Sequence, residues 1–381
     1  MVDYGAPIRK INDDAPSPAA FLRCANRLIP GRRLWYNTVE DWTGSNRIPF
    51  WEVMMKRRNF LLLVCLLLVG CAAGPETETA LPPDSVAMAE IDTVVSEELM
   101  DTPLLSEEGR PASTAPDDPE TDKEPVVWQT GVVALLDTGV SAAALPAERL
   151  LPGWNYVTGS NDTQDRINHG TAVASVLLGC ESAGVVGIAP QSRILPLVVV
   201  DKVEGETVSA APEVLAQAVR DSVDQYGARI INVSLGIRKD DPALRDAVAY
   251  VQERGALVIS AVGNDGESAD LYYPAAYDGV LAVGSHDRVD AVSDFTQRNG
   301  TADILAPGED IWLASRNGKT YGSRGTSYAT GFVSAAAAQL WMQRPEESAQ
   351  AIAAKILSSA RTVEGWKILD LEAVFSLSAT G

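Results

Sequence analysis

Residues 126–381 predict a three-layer α/β domain, a doubly wound and mostly parallel sheet with helices on both faces. Two observations carry this. The apolar runs are short and continuous in Val, Ile and Leu, as in "VVALLD" and "RIINVSLG", which marks strands buried on both sides rather than strands with one wet face. Stretches of helical spacing separate them, so strand and helix alternate along the chain. No repeat of fixed period interrupts that alternation.

The elements follow in order. "VVWQTGVVALLD" (126–137) is a buried strand ending on Asp137. "HGTAVASVLLG" (169–179) is a helix that stops at glycine, and "RILPLVVV" is a strand. "EVLAQAVRDSVDQYG" is a helix closed by Gly227, "RIINVSLG" a strand, and "DPALRDAVAYVQERG" a helix. "ALVISAVGN" and "GVLAVGS" are further strands. In "YGSRGTSYATGFVSAAAAQL" (321–340), a glycine-rich turn delivers Thr326 and Ser327 into a helix that is small and apolar almost all round. That helix must be buried. Thr326 or Ser327 as N-cap explains the local sequence. A nucleophile set where the helix N-terminus stabilises negative charge explains it equally well.

The whole chain has 381 residues, 46% of them hydrophobic, with mean hydropathy near zero. This allows one large domain with appendages, or two domains. A net charge of −20 argues against a nucleic-acid partner, because phosphate binding wants a basic face. Of the four cysteines, Cys24, Cys65, Cys71 and Cys180, only Cys180 lies in the predicted domain, so no disulfide framework is available there. With His169 and His286 the only histidines, no Cys/His cluster has zinc spacing.

Upstream, Lys56, Arg57 and Arg58 precede an apolar stretch from Phe60 to Val69. It is too short to span a bilayer, which needs about 20 residues, but it suits a signal peptide over 54–70. The stretch ends in "LVGC", which resembles a bacterial lipobox and implies cleavage before Cys71 and lipidation of its thiol. An uncleaved anchor or plain secretion is the other possibility. Since signal peptides belong at an N-terminus, residues 1–53 are expected to come from a misplaced start upstream of Met54 or Met55, or to be a small unstructured extension. Residues 71–125 hold fifteen acidic side chains against Arg110 and Lys123 and are rich in Pro, Ser and Thr. Such a composition reads as a tether, spanning roughly 40 Å as a random coil.

In open α/β sheets, sites gather at the carboxyl ends of strands. Asp137 stands at one, either starting an Asx turn or orienting a partner. An apolar run followed by Asp-Thr-Gly also resembles an aspartic-protease loop, but that fold is all-β and needs a second carboxylate. His169 opens a helix, and its imidazole is suited to accept a hydroxyl proton near neutral pH. His286, leaving a strand for a polar loop, reads as a surface residue. Asn264 ends another strand, either as a turn or as an amide donor to an oxyanion, paired with the Ser327 N–H. Together these residue types make a nucleophile, base, orienter and oxyanion hole.

"DTG", "HGTAVAS", "SLG", "AVGN", "YPAAY" and "GTSYATG", in that order over about residues 126–378, resemble the subtilisin-like serine protease family. The chain order Asp, His, Ser is that of subtilisin. The resemblance implies Asp137 as orienter, His169 as base, Ser327 as nucleophile and Asn264 as oxyanion donor. It makes "NVSLG" an extended edge that pairs with substrate backbone. Ser234, Leu235 and Gly236, with Ala261, Val262 and Gly263, would then wall the pocket for the residue before the scissile bond. Ile237, where many relatives have glycine, is expected to narrow the pocket entrance, and Asp265 to offer a weak preference for a basic substrate residue. The family implies no cofactor beyond possible calcium, and "GCESAGVVG" (179–187), with Glu181 as its one carboxylate, does not support that site. The reading is a lipid-anchored, extracytoplasmic serine endopeptidase acting on peptides or proteins and held to a membrane through Cys71. The alternative is a catalytically silent, peptide-binding lipoprotein of the same fold.

Overall fold

The computed structural model describes residues 126–377. The expectations for residues 1–125, Cys71 among them, lie outside the described residues. In chain order the strands are β1 (Gln129–Asp137), β2 (Trp154–Asn155), β3 (Gly179–Cys180), β4 (Val185–Val186), β5 (Arg193–Val198), β6 (Val200–Val203), β7 (Glu206–Ser209), β8 (Ala228–Val233), β9 (Leu257–Ala261), β10 (Leu281–His286), β11 (Ile304–Pro307), β12 (Ile311–Ala314), β13 (Thr320–Ser323), β14 (Arg361–Val363) and β15 (Trp366–Ile368). The helices are α1 (His169–Leu178), α2 (Pro212–Asp224), α3 (Pro242–Glu253), α4 (Thr326–Gln343), α5 (Ala349–Ser359) and α6 (Leu371–Ser376).

Nine strands form one sheet in the order β14-β15-β11-β10-β9-β8-β1-β5-β2. Every neighbouring pair is parallel except the edge pair β14–β15. Strand β1 is where the order reverses: the chain leaves it through α1 to β5 on one side and returns through α2 to β8 on the other. The crevice at such a switch point is where α/β sheets collect their ligands, and the carboxyl ends of β8, β1 and β9 all border it.

Alternate β1 residues face opposite layers. Val133 and Leu135 pack with α1, α4, α5 and α6, whereas Val132, Ala134 and Leu136 pack with α2 and α3. Both faces are covered, and this is why the strand sequences lack polar alternation. Helix α4 crosses beneath β1, β8, β9, β10 and β11, and Ala335 to Ala338 are fully buried. A Cβ at Gly331 would lie 3.4 Å from the Val173 carbonyl oxygen on α1. Small residues there let the two helices approach closely.

The sequence "RILPLVVV" divides after Val198: β5 belongs to the main sheet, while β6 turns away to pair antiparallel with β7. His286 corrects an expectation. It is the last residue of β10 and fully buried, with Nδ1 2.7 Å from the Asp287 carbonyl oxygen. The polar loop that suggested a surface position folds back over it, through the Asp290–Arg361 ion pair. Burial pushes the His286 imidazole below its usual pKa. Ile237 is a second correction. Its side chain lies in the core beside α2 and α3, and its backbone pairs with Tyr273, so it does not narrow the pocket entrance.

Candidate active site

Asp137 closes β1 and is 1% exposed. Its Oδ1 accepts from the Thr138 N–H at 2.7 Å and lies 2.7 Å from Nδ1 of His169. The partner of this carboxylate is an imidazole, and among the described residues no second carboxylate is bonded to it in the way an aspartic protease would require. A buried acceptor on Nδ1 fixes which ring nitrogen carries hydrogen and leaves Nε2 for proton transfer.

His169 begins α1, and its aim is set from outside the helix. Asn168, the N-cap, is left-handed at φ 96° and makes no side-chain cap. Asp165 does that work. Buried to 1% exposure, its Oδ1 accepts from Thr138 Oγ1 (3.0 Å), Ile167 N (3.0 Å) and Asn168 N (2.7 Å). Its Oδ2 accepts from Thr171 N (2.9 Å) and Thr171 Oγ1 (2.5 Å). Thr138 Oγ1 in turn accepts from Gly170 N at 2.8 Å. Asp165 thus ties the end of β1 to the first turn of α1, fixing the residues on both sides of the Asp137–His169 contact. Desolvation pushes the Asp165 carboxyl up from its usual range, opposed by the bonds from Thr171, Asn168 and Ile167.

Helix α4 starts at Thr326 with Gly325 as N-cap, and no α4 side chain caps it. The reading of Thr326 or Ser327 as cap, one of the two that the local sequence allowed, does not hold. The cap comes from another strand end: Asn264 Oδ1 accepts from both Thr326 N and Thr326 Oγ1, each at 2.9 Å. With its oxygen engaged, Asn264 presents its Nδ2 as a donor. The next N–H, that of Ser327, meets no acceptor among the described residues. The Ser327 hydroxyl donates to the Ser234 carbonyl oxygen at 2.9 Å, and the Ser234 hydroxyl lies 3.2 Å from the Ser327 carbonyl oxygen. Tyr328 packs its ring on His169 at a centroid distance of 5.7 Å, so His169 and the α4 mouth are neighbours. Helix start, imidazole, carboxylate and amide converge on one crevice.

The pocket residues divide by what they expose. Leu235 and Val262 turn their side chains into core clusters, leaving only their backbones for a substrate. Asp265 does not offer a free charge: its Oδ2 accepts from Arg238 Nη2 at 3.0 Å and from the Tyr272 hydroxyl at 2.5 Å. The 179–187 segment is the β3–β4 hairpin, and Glu181 is its one carboxylate. Among the described residues no group of three or more His, Cys, Asp and Glu is placed to hold a metal.

A serine at a helix mouth beside a carboxylate-steadied imidazole, all at the switch point of a parallel sheet, is the layout of an α/β serine hydrolase. Comparison with known proteins narrows this. The Subtilase family model matches residues 129–373, and the chain belongs to that family. The major intracellular serine protease of Bacillus subtilis (strain 168) is 34% identical over 277 residues, covering 68% of this chain and 82% of the relative. Subtilisin Savinase of Lederbergia lenta is 35% identical over 218 residues, covering 57% of this chain and 78% of the relative. Among solved structures, a cold adapted subtilisin-like serine proteinase superposes with TM-score 0.56 at 27% identity, over 63% of this chain and 88% of its own. The protein is a serine-type endopeptidase.

Asp165, Thr138, Tyr272 and Gln297 carry roles that sequence reasoning did not assign. The Asp165 signal was present, a carboxylate four residues before His169. Only the fold joins it to Thr138, 27 positions away.

Proposed function

We propose that Ser327 is the nucleophile of a lipid-anchored, extracytoplasmic endopeptidase, with His169 as base, Asp137 as orienter and Asn264 as oxyanion donor. The observation that carries this is the buried 2.7 Å contact between Asp137 Oδ1 and His169 Nδ1 beside the mouth of α4. The Ser327 hydroxyl exchanges the Ser234 carbonyl for His169 Nε2 and gives up its proton there. Its Oγ attacks the peptide carbonyl carbon, and the carbonyl oxygen takes the charge between Asn264 Nδ2 and the Ser327 N–H. His169 returns the proton to the leaving amine as the C–N bond breaks. Water, deprotonated by the same nitrogen, then hydrolyses the acyl ester and frees Ser327.

Lipidation of Cys71 supplies the anchor in this reading, and more than one acyl chain is needed to hold a protein stably. No helix among the described residues is long and apolar enough to cross a membrane.

The test is labelling of the full chain by a fluorophosphonate probe. Wild type is expected to label, and Ser327→Ala to lose the label while keeping its circular dichroism spectrum. A folded wild type that takes no label would overturn the reading in favour of a silent peptide-binding protein. Cys71→Ala is expected to move the protein from the membrane to the soluble fraction, and unchanged fractionation would remove the anchor from the proposal.

A further inference from the structure

In the proposed mechanism, two contacts set the position of a peptide in this crevice. Its scissile carbon lies at Ser327 Oγ, which is bonded to the Ser234 carbonyl. Its carbonyl oxygen turns toward Asn264, the residue after Gly263. The side chain preceding the scissile bond then falls between the backbones of 234–236 and 261–263, the pocket walls that the family resemblance implies.

That space is filled. The ring of Tyr272, only 2% exposed, stands between the two segments with one edge on each. A Cβ at Gly263 would lie 2.6 Å from Tyr272 Cδ2 and 2.8 Å from Cε2. On the opposite wall, a Cβ at Gly236 would lie 3.2 Å from Tyr272 Cδ1. The ring abuts both backbones: a methyl group at Gly263 would force a shift, and one at Gly236 would meet the ring tightly.

Nor is the ring a loose flap. Its hydroxyl donates to Asp265 Oδ2, which Arg238 also holds, and the Arg238 guanidinium lies 5.4 Å from the ring centroid. Fully buried Gln297 braces the loop that carries it. Gln297 Oε1 accepts from Asp265 N, and its Nε2 donates to the Ser268 and Asp270 carbonyl oxygens. Asn299 Nδ2 adds a second bond to the Asp270 carbonyl.

We propose that Tyr272 is the specificity-determining residue of this peptidase: its ring plugs the primary pocket and restricts cleavage to peptide bonds that follow glycine, alanine or serine. The proposal rests on the endopeptidase reading above. A hydrogen, methyl or hydroxymethyl group needs only the shallow space above the ring. A leucine or phenylalanine side chain must displace a ring that is hydrogen-bonded and sandwiched, and this kind of steric exclusion discriminates more strongly than a missing contact does.

The experiment uses the full chain and four peptide p-nitroanilides that differ only in the last residue: glycine, alanine, leucine or phenylalanine. Wild type is expected to favour alanine over phenylalanine by about 100-fold or more in kcat/KM. Tyr272→Ala is expected to invert that ratio, and Tyr272→Phe, which keeps the ring but loses the Asp265 bond, to retain the preference for alanine. A wild type that cleaves the phenylalanine peptide within tenfold of the alanine peptide overturns the proposal. So does a folded Tyr272→Ala protein with an unchanged ratio. If Tyr272→Ala does not fold, the wild-type ratio and the Tyr272→Phe ratio still decide. Fluorophosphonate labelling of the same samples separates the two readings: a labelled enzyme with the wrong preference sinks only the plug, whereas an unlabelled protein that cleaves none of the four sinks the endopeptidase reading too.

Discussion

Replacing Asp165 by asparagine changes one atom pair in the tie between β1 and α1, so its cost can be worked out from the structure. The new Oδ1 still accepts from Thr138 Oγ1, Ile167 N and Asn168 N. At the Oδ2 position an NH2 group now faces the Thr171 hydroxyl and the Thr171 N–H. The hydroxyl can reverse and accept. The N–H cannot, and a buried donor left unsatisfied costs about 1–3 kcal/mol. Loss of the charge offsets part of this, since burial already disfavours the ionised carboxyl. The net expectation is about 2 kcal/mol, or a fall in Tm of about 4–8 °C for a domain of this size. Asp165→Ala removes all five acceptor contacts and is expected to fall further. Because Thr138 and Gly170 flank the Asp137–His169 contact, loosening them displaces the imidazole, and misplacement by an ångström costs up to about 100-fold in rate. Thermal melts and steady-state kinetics, run well below the variant's Tm, make the assay. The loss should appear in kcat with KM little changed. An Asp165→Asn enzyme with wild-type Tm and kcat would refute the positioning argument, and a loss confined to KM would assign Asp165 to substrate binding instead.

Asn264→Leu is expected to lower kcat by about 10²–10³, a magnitude measured on a subtilisin and carried over to this chain rather than derived from its geometry; a loss below tenfold would place the oxyanion elsewhere. His286 contributes a pH dependence whose sign follows from its lowered pKa. As pH falls through about 6.5 the unfolded chain takes up a proton that the folded chain, with Asp287, Asp290 and Arg361 around the ring, still refuses, so stability declines. His286→Gln should therefore flatten the Tm difference between pH 7.5 and pH 5.5, and an unaltered slope would exclude His286 as its source. Gly331→Leu forces a branched side chain between α4 and α1, where a Cβ alone sits 3.4 Å from Val173 and Val176. Overpacking of this kind costs about 1–3 kcal/mol, read as a lowered urea midpoint, and an unchanged midpoint would mean that the helices have room to separate.

The sheet and the candidate site residues were legible in the sequence for a common reason. A strand buried on both faces advertises itself by unbroken apolar residues, and the polar residue that ends it, Asp137 or Asn264, stands out against them. What escaped depends on neighbours that only the fold supplies. Tyr272 carries no chemical signal in the sequence, and its place against Gly236 and Gly263 depends on two other chain segments. Gln297 is 32 positions from the amide that it holds. His286 was misplaced for the converse reason: polar neighbours in sequence suggested solvent, whereas its side chain turns inward from the end of β10. Ile237 was read against the glycine of relatives, and only the fold turns its side chain into the core beside α2 and α3.

The start of α4 shows how much a local reading can miss. A helix that opens on Thr-Ser with no cap of its own exposes two successive N–H groups. Asn264, 62 positions earlier in the chain, takes the first with its oxygen. That bond and the one from Thr326 Oγ1 fix the orientation of the amide, so its Nδ2 is left as the donor beside the second N–H, that of Ser327. In the proposed mechanism, capping and oxyanion binding are two sides of one side chain, and aspartate separates them. Asn264→Asp keeps an oxygen for Thr326 but puts an acceptor where the donor stood. The stability of the helix start should survive that substitution within about 1 kcal/mol, while kcat falls at least as far as in Asn264→Leu. If stability and turnover were lost together in both variants, the amide would be acting through the fold rather than on the substrate.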